Sequence, residues 1–374
     1  MKDLDLIKKV QVTDADHFLN LGFGDPWYNE NIGNVFGLAS LRGETWKKAK
    51  KMVTPPFSYP RLKKTVPALN ECAQKLGKYV KSRENDECVD ILEVARKFFM
   101  NTIASVVFGM DMDCYSDGET DLEKHGKNLL SIPRFLFTKF MPRLALLFKI
   151  SVLNPEAEKF FMKLCKMIVQ SRQESKQEVK DVLGILLNVA EENPDMAAEV
   201  LYRTCLQFFT DGYESAAMIS SILFHHLLFH PEIQEKIQEE IDAVFENKGD
   251  DGEIEQEDLN NMPYLDQVIS EGLRRGIVPQ TARECTKAWK IPGDNFVIPK
   301  GMNVIIPSVR IFPVKEKRTK VDLLRLVLLG TLSTGLILSS LTRTGSTRIT
   351  RGILTVLCTN LSAQDQGSVW ARTW

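Results

Sequence analysis

The chain has 374 residues, enough for one large domain or two ordinary ones with a sizeable buried core. Its 48 Lys and Arg balance 49 Asp and Glu, leaving a formal net charge of −1, which argues against a nucleic-acid-binding protein. The seven cysteines, Cys72, Cys88, Cys114, Cys165, Cys205, Cys285 and Cys358, are scattered, odd in number and free of CxxC or zinc spacing, a usage that suits a reducing compartment.

The first residues, MKDLDLIKKVQVTDADHF, contain neither the apolar core of a signal peptide nor a membrane anchor, so the chain is expected to begin inside a domain. Up to about residue 290, amphipathic helical patterns alternate with short polar loops, which predicts a mainly α body. In GETWKKAKKMVTPPFS, residues 43–58, Trp46 and Lys50 are four apart and share a helical face. An indole N–H and an ammonium so placed can hold a ligand carboxylate. A solvated basic face with a half-buried Trp fits the pattern equally well.

In FFTDGYESAAMISSILFHHLL, residues 208–228, an apolar helix is interrupted by Asp211, Gly212, Glu214 and Ser215. Asp211 and Ser215 share a face, and Gly212 removes a side chain where something bulky could lie, an arrangement that suits proton delivery beside a large cofactor. The alternative is a helix start, with Asp211 as N-cap and Glu214 three residues on. LYRTCLQFF, which also reads as helix, precedes the cluster and counts against that alternative.

Further along, HPEIQEKIQEEIDAVF predicts a helix with Pro231 in its first turn and a stripe of Ile233, Ile237, Ile241 and Val244. The polar run at residues 246–261 reads as a solvated connection. MPYLDQVISEGLRR then resumes helical spacing through Leu265, Val268, Ile269 and Leu273. Within it Glu271 and Arg274 are three apart, either a surface ion pair of small value or, given the neighbouring Ile269 and Leu273, a buried structural lock. Arg283, in PQTARECTK, is a further carboxylate partner or a turn decoration. From 289 to 307, β-branched residues punctuated by Pro-Gly and Lys-Gly predict short strands, hence a small β-sheet region beside the helices. Beyond Arg310 a basic run leads into a tail without periodicity. Its apolar stretch 326–341 falls short of the ~20 residues that span a bilayer.

Taken in order, W-x-x-x-basic, D-G-x-E-S in a long helix, E-x-x-R, and an arginine before IPG and VIPKG resemble a cytochrome P450 monooxygenase. DHFLNLG, LRGETWKKAKKMVTPPFS, NMPYLDQVISEGLR and CTKAWKIPGDNFVIPKGMNVIIP resemble the microsomal clan of thromboxane synthase and the steroid- and drug-oxidising enzymes. The resemblance covers about residues 1–312, a partial P450 domain, with 313–374 as an aberrant, poorly packed tail. It implies an incomplete P450 fold, a haem (iron protoporphyrin IX), electrons from NADPH through NADPH-cytochrome P450 reductase, and insertion of one oxygen atom from O2 into a lipophilic small molecule. It implies the cytosolic face of the endoplasmic reticulum membrane for the intact parent, this chain carrying no anchor. By the same resemblance Gly212 makes room for dioxygen, Glu214 and Ser215 relay protons on a locally distorted helix, Trp46, Lys50 and Arg283 hold haem propionates, and Glu271 with Arg274 forms the buried lock. Ser215 stands for the more usual Thr, Lys50 for Arg, and Asp211 for Ala or Gly.

The family's proximal cysteine lies in F-x-x-G-x-R-x-C-x-G, and no such loop follows the strands in this frame; Cys358, in TVLCTNL, has a different context. With each codon boundary moved so that it begins on the last base of the preceding residue, LSAQDQGSVWA (361–371) permits P-F-G-A-G-P-R-Q-C-L-G, which is that loop. The same shift over 330–346 permits D-P-x-Y-W-P-D-P-x-x-F-N-P-D-R-F, the kind of segment that precedes it. The tail therefore reads as coding sequence translated out of frame. Two other functional readings stand beside the monooxygenase: a catalytically dead fragment that binds no haem, and a helical interaction module.

Overall fold

A computed structural model of the chain describes residues 1, 3–21, 41–54, 60, 63–83, 89–116, 118–175, 182–191, 197–246, 248, 253–275 and 280–307, and structural statements below concern these residues. The helices are α1 (Leu4–Lys8), α2 (Gly43–Val53), α3 (Val66–Ser82), α4 (Ile91–Phe108), α5 (Asp121–Lys127), α6 (Ile132–Phe140), α7 (Pro142–Leu147), α8 (Pro155–Ser175), α9 (Val182–Glu191), α10 (Ala197–Leu228), α11 (Pro231–Glu246), α12 (Gln256–Asn260) and α13 (Pro263–Arg275). The strands are β1 (Asn20–Leu21), β2 (Gln280–Glu284), β3 (Trp289–Lys290), β4 (Val297–Ile298) and β5 (Asn303–Pro307). The architecture is mainly α with two small antiparallel sheets.

α10 and α4 form the centre of the helical body. Twelve of the eighteen residues of α4 are buried, so the helix is enclosed on nearly all sides, as its sequence ILEVARKFFMNTIASVVF demands. Its start is fixed by Asp90, whose carboxylate accepts from Leu92 N at 2.9 Å, and its end by Gly109, whose φ of 59° only glycine adopts without strain. Phe98, Phe99, Met100 and Ile103 of α4 share one core with Cys205, Leu206, Phe209, Tyr213 and Ala217 of α10. Two cations break the apolar run of α4, and each ties down another element: Arg96 reaches Glu214 on α10, and Lys97 reaches Glu123 on α5.

α11 starts at Pro231 and buries Ile237 and Ile241, with Ile233 and Val244 partly buried against the same core, as their spacing predicts. The polar connection 246–261 is not wholly loop, because Gln256–Asn260 forms a short helix whose start is held by reciprocal Glu255 and Asp258 bonds. Met262 just before α13 and Leu265 and Ile269 within it form the buried stripe, with Val268 half-buried and Leu273 exposed.

Strand order is β1-β2-β5 in the larger sheet, with Leu21 opposite Arg283 and Arg283 opposite Val304. β3 and β4 make a separate pair, Trp289 opposite Ile298. A small second core of Val10, Phe18, Cys285, Trp289, Ile298, Val304 and Ile306 joins the two sheets to the first residues of the chain. The Trp289 indole N–H donates to Asp14 at 2.8 Å and its ring meets Phe18 edge-on at 5.4 Å. Arg283 thus belongs to a strand, not to a turn: residues 280–284 alternate into full register with β5, a pairing their short mixed sequence does not announce. The stretch 326–341 lies outside the described residues, and among those described no helix is long and apolar enough to cross a membrane.

Candidate functional site

Two contacts seat α2 against the larger sheet. Asn20 Oδ1 on β1 accepts from Gly43 N at 2.9 Å, satisfying a first-turn donor of the helix. Arg42, just before the helix, pairs with Glu284 at the end of β2, both side chains being mostly buried. With its entry pinned in this way, α2 carries Trp46 and Lys50 on one face, as the four-residue spacing requires, and the Lys50 ammonium lies 4.8 Å from the centre of the Trp46 ring.

Lys50 and Arg283 are close enough for their charges to interact. Burial, and after it the Arg283 charge, lowers the proton affinity of Lys50; burial lowers that of Arg283. Trp46 packs on Leu41 and Ala49, and its indole Nε1 is buried without a hydrogen-bond partner among the described residues. The buried Trp46 N–H has an open donor position beside the Lys50 ammonium, and an anion with acceptor oxygens placed there would satisfy it. The donor set therefore fits the carboxylates of a haem. Lys50 thus lies against the Trp46 ring and within electrostatic range of Arg283. Asn20, Arg42 and Glu284, which position them, were not singled out, because the pairs they form cross more than two hundred residues or join a two-residue strand.

The α10 cluster is arranged differently from expectation in two respects. Residues 197–228 form one uninterrupted α-helix, so Asp211 is not an N-cap, and no π-turn or break occurs at Gly212. Gly212 also does not border open space. A Cβ placed there would lie 2.5 Å from Ile103 Cδ1 and 3.1 Å from its Cγ1, so the missing side chain lets α10 approach α4 closely. The room that Gly212 was expected to leave for dioxygen is filled by Ile103.

Glu214 is half-buried and accepts a fork from Arg96, Nε to Oε2 at 2.9 Å and Nη2 to Oε1 at 2.5 Å. Arg96 is legible only in retrospect, as a charge inside an otherwise apolar helix. Tyr213, immediately before Glu214, is buried, its ring centre 5.2 Å from that of Phe209, and burial raises the proton affinity of its phenolate. Ser215 is exposed, one residue along from Glu214 and therefore turned by about a quarter of the helix. The Asp211 side chain lies outside the described residues.

Glu271 is exposed, which corrects the expectation of a buried lock. It is two residues from Ile269, and two residues on an α-helix turn about 200°, so it faces away from the Met262, Leu265 and Ile269 stripe. Arg274 is in α13, but its side chain lies outside the described residues. Among the described residues, Cys72, Cys114, Cys165, Cys205 and Cys285 are buried and form no disulfide. Burial pushes the Cys72 thiol up to about 11 and the Cys114 thiol up to about 12, and it also raises Cys285. Cys358 and Cys88 lie outside the described residues.

Comparison with known proteins adds a frame to this geometry. The family model described as Cytochrome P450 matches residues 1–312. The chain is 28% identical over 348 residues to Probable cytochrome P450 6a14 of Drosophila melanogaster, covering 84% of this chain and 67% of that one. It is 26% identical over 328 residues to Cytochrome P450 6A1 of Musca domestica, covering 83% and 63%. To Cytochrome P450 9e2 of Blattella germanica it is 25% identical over 353 residues, covering 82% and 64%. The chain thus spans about two thirds of the length of the curated relatives it matches.

Proposed function

Because the chain belongs to the cytochrome P450 family, we propose that it is the larger part of a haem-dependent monooxygenase that inserts one oxygen atom from O2 into a lipophilic small molecule. Residues 1–312 are the catalytic domain in this reading, and electrons come from NADPH through a reductase partner. The observation that carries it is the convergence of the orphaned Trp46 N–H with the Lys50 and Arg283 cations, a donor set suited to haem propionates. Bound there, the haem supplies the iron at which dioxygen is activated.

The chain's own residues then hold and protonate. With haem bound, Trp46 would donate a hydrogen bond to a propionate oxygen, and Lys50 and Arg283 would neutralise the carboxylate charges. Glu214, in contact with solvent on one side, takes up protons and passes them on with the Ser215 hydroxyl, whose donor and acceptor capacity suits a relay. Asp211 has no assigned part.

A membrane location is supported by the exposed apolar surface of α6 and α7 and their junctions. Phe140, Met141, Leu147 and Phe148 are each at least half exposed, with Arg143 and Lys149 exposed among them. Apolar side chains edged by cations suit the interface of an anionic bilayer, here the endoplasmic reticulum facing the cytosol.

Titration of the purified chain with haem, followed by absorption and by quenching of Trp fluorescence, tests this reading. Saturable binding is expected, weakened about tenfold or more by Lys50→Ala or Arg283→Ala, as loss of one charge-assisted bond of about 1.5–3 kcal/mol requires. Absence of saturable binding, or variants that bind as well as the parent, would replace this reading with that of a non-catalytic fragment.

A further inference from the structure

Arg96 and Glu214 meet through both nitrogens of a guanidinium edge and both oxygens of a carboxylate, and each side chain is about three-tenths exposed. Such a fork is directional, unlike the single contact a lysine makes. Gly212, two residues before Glu214, packs on Ile103, which is two helical turns beyond Arg96 on α4. The stretch of α10 that bears Glu214 is thereby clamped to α4 at two points. Without the fork, a glutamate in this position keeps most of its rotamer freedom. The charged and titratable groups around Arg96 are Glu214 and Tyr213 on α10 and Asp90 at the head of α4, so Glu214 is its ion-pair partner and the others act at longer range.

We propose that Arg96 is a positioning residue for Glu214: by engaging both carboxylate oxygens it fixes where they lie relative to Ser215, and so sets the path along which Glu214 takes and gives a proton. The proposal rests on the reading of Glu214 as a proton relay. A proton delivered by solvent hydronium, which leaves as water, settles on a Glu214 oxygen that gives up one N–H···O bond to Arg96; when that proton passes to Ser215 Oγ, whose own hydroxyl proton moves on, the bond is restored. The guanidinium stays charged throughout. Arg96 therefore guides each transfer without supplying the proton.

The full chain, labelled with carbon-13 at the glutamate side-chain carboxyls and without haem, decides the matter by NMR. Glu214→Gln identifies the Glu214 line. In the parent that line is expected to be single and sharp, in Arg96→Gln split or broadened by exchange, and in Arg96→Lys intermediate, because charge returns without the fork. Melting temperatures are measured alongside. If Arg96 is only a bolt between helices, the melting temperature falls in Arg96→Gln while the Glu214 line stays as in the parent, and that result overturns the proposal. Should Arg96→Gln fail to fold, the Arg96→Lys line alone decides: unchanged, it overturns the proposal, and broadened, it supports it. The relay reading fails separately, if Glu214→Gln leaves unaltered the solvent isotope effect on turnover of the chain translated in the frame that restores the cysteine loop.

Discussion

Lys97 and Glu123 form an ion pair at 3.2 Å inside the helical body, with 12% and 3% of their side chains exposed. Glu123 also accepts from the Thr120 N–H and hydroxyl, both at 2.9 Å, and Lys97 donates to Cys114 O at 2.6 Å. Burial alone would push the Glu123 carboxyl up, but the Thr120 donors and the Lys97 ammonium outweigh it and hold the group below the ordinary carboxylate range. Its stabilising contribution is present above the unfolded-state value of about 4.3 and is lost as pH falls through the lower folded value. Lys97→Met is expected to destabilise by about 3–5 kcal/mol, since it strands a buried carboxylate. Glu123→Gln should flatten the acid side of the melting-temperature profile. A Glu123→Gln profile parallel to the parent's below pH 5 would contradict this.

At Gly212 two effects of opposite sign compete. Alanine gains about 1 kcal/mol of helix propensity. It also collides with Ile103, and such overpacking costs about 1–3 kcal/mol. Gly212→Ala is therefore expected to be net destabilising in the parent and neutral or stabilising in an Ile103→Val background, which removes the Cδ1 methyl. Urea denaturation of the four chains in this cycle measures the coupling.

Glu271→Ala should change stability by no more than about 0.5 kcal/mol, as for other exposed positions. A loss several times larger would restore the buried lock that the exposure of Glu271 argues against.

Vesicles provide the check on α6 and α7. The full chain should float with liposomes containing anionic phospholipid, and Phe140→Ser with Phe148→Ser should abolish flotation while leaving the melting temperature within a few degrees of the parent. Equal flotation of parent and variant would exclude this surface as the contact.

The tail is tested on nucleic acid. A transcript whose bases beyond Ile311 encode the cysteine loop in the shifted frame is the expected result. The Val314 and Lys315 codons can spell a GTAA splice donor, and the leucine codons of FPVKEKRTKVDLLRLVLL can form a pyrimidine-rich tract, so a retained intron or a misplaced splice site accounts for the slip. Bases incompatible with the loop would end this explanation.

Periodicity made the helical body legible: the Ile stripe of α11 and the shared face of Trp46 and Lys50 follow from 3.6 residues per turn. Glu271 was misjudged because its chain neighbours are apolar, whereas burial follows the helix face. Gly212 was read as an opening because a glycine in a helix signals close approach without saying by what, and the answer, Ile103, comes from another helix. β1 and β2 were hidden for a related reason. Two- and five-residue strands have too little pattern to stand out, and their pairing depends on partners far along the chain. Asn20, Arg42, Arg96 and Glu284 are ordinary polar residues until those partners arrive.

That dependence has a consequence for the order of events during synthesis. Arg42 and Glu284 are separated by 242 positions, and α2 bears Trp46 and Lys50 from near the start of the chain while Arg283 emerges long afterwards. Contacts of such separation form slowly, after local helical pairings such as α3 with α4 are already in place. The growing polypeptide must therefore hold its early segment unfinished until β2 has left the ribosome. A nascent chain stalled before residue 280 would carry Trp46 and Lys50 without Arg283, so the proposed anion site would be completed only late in synthesis.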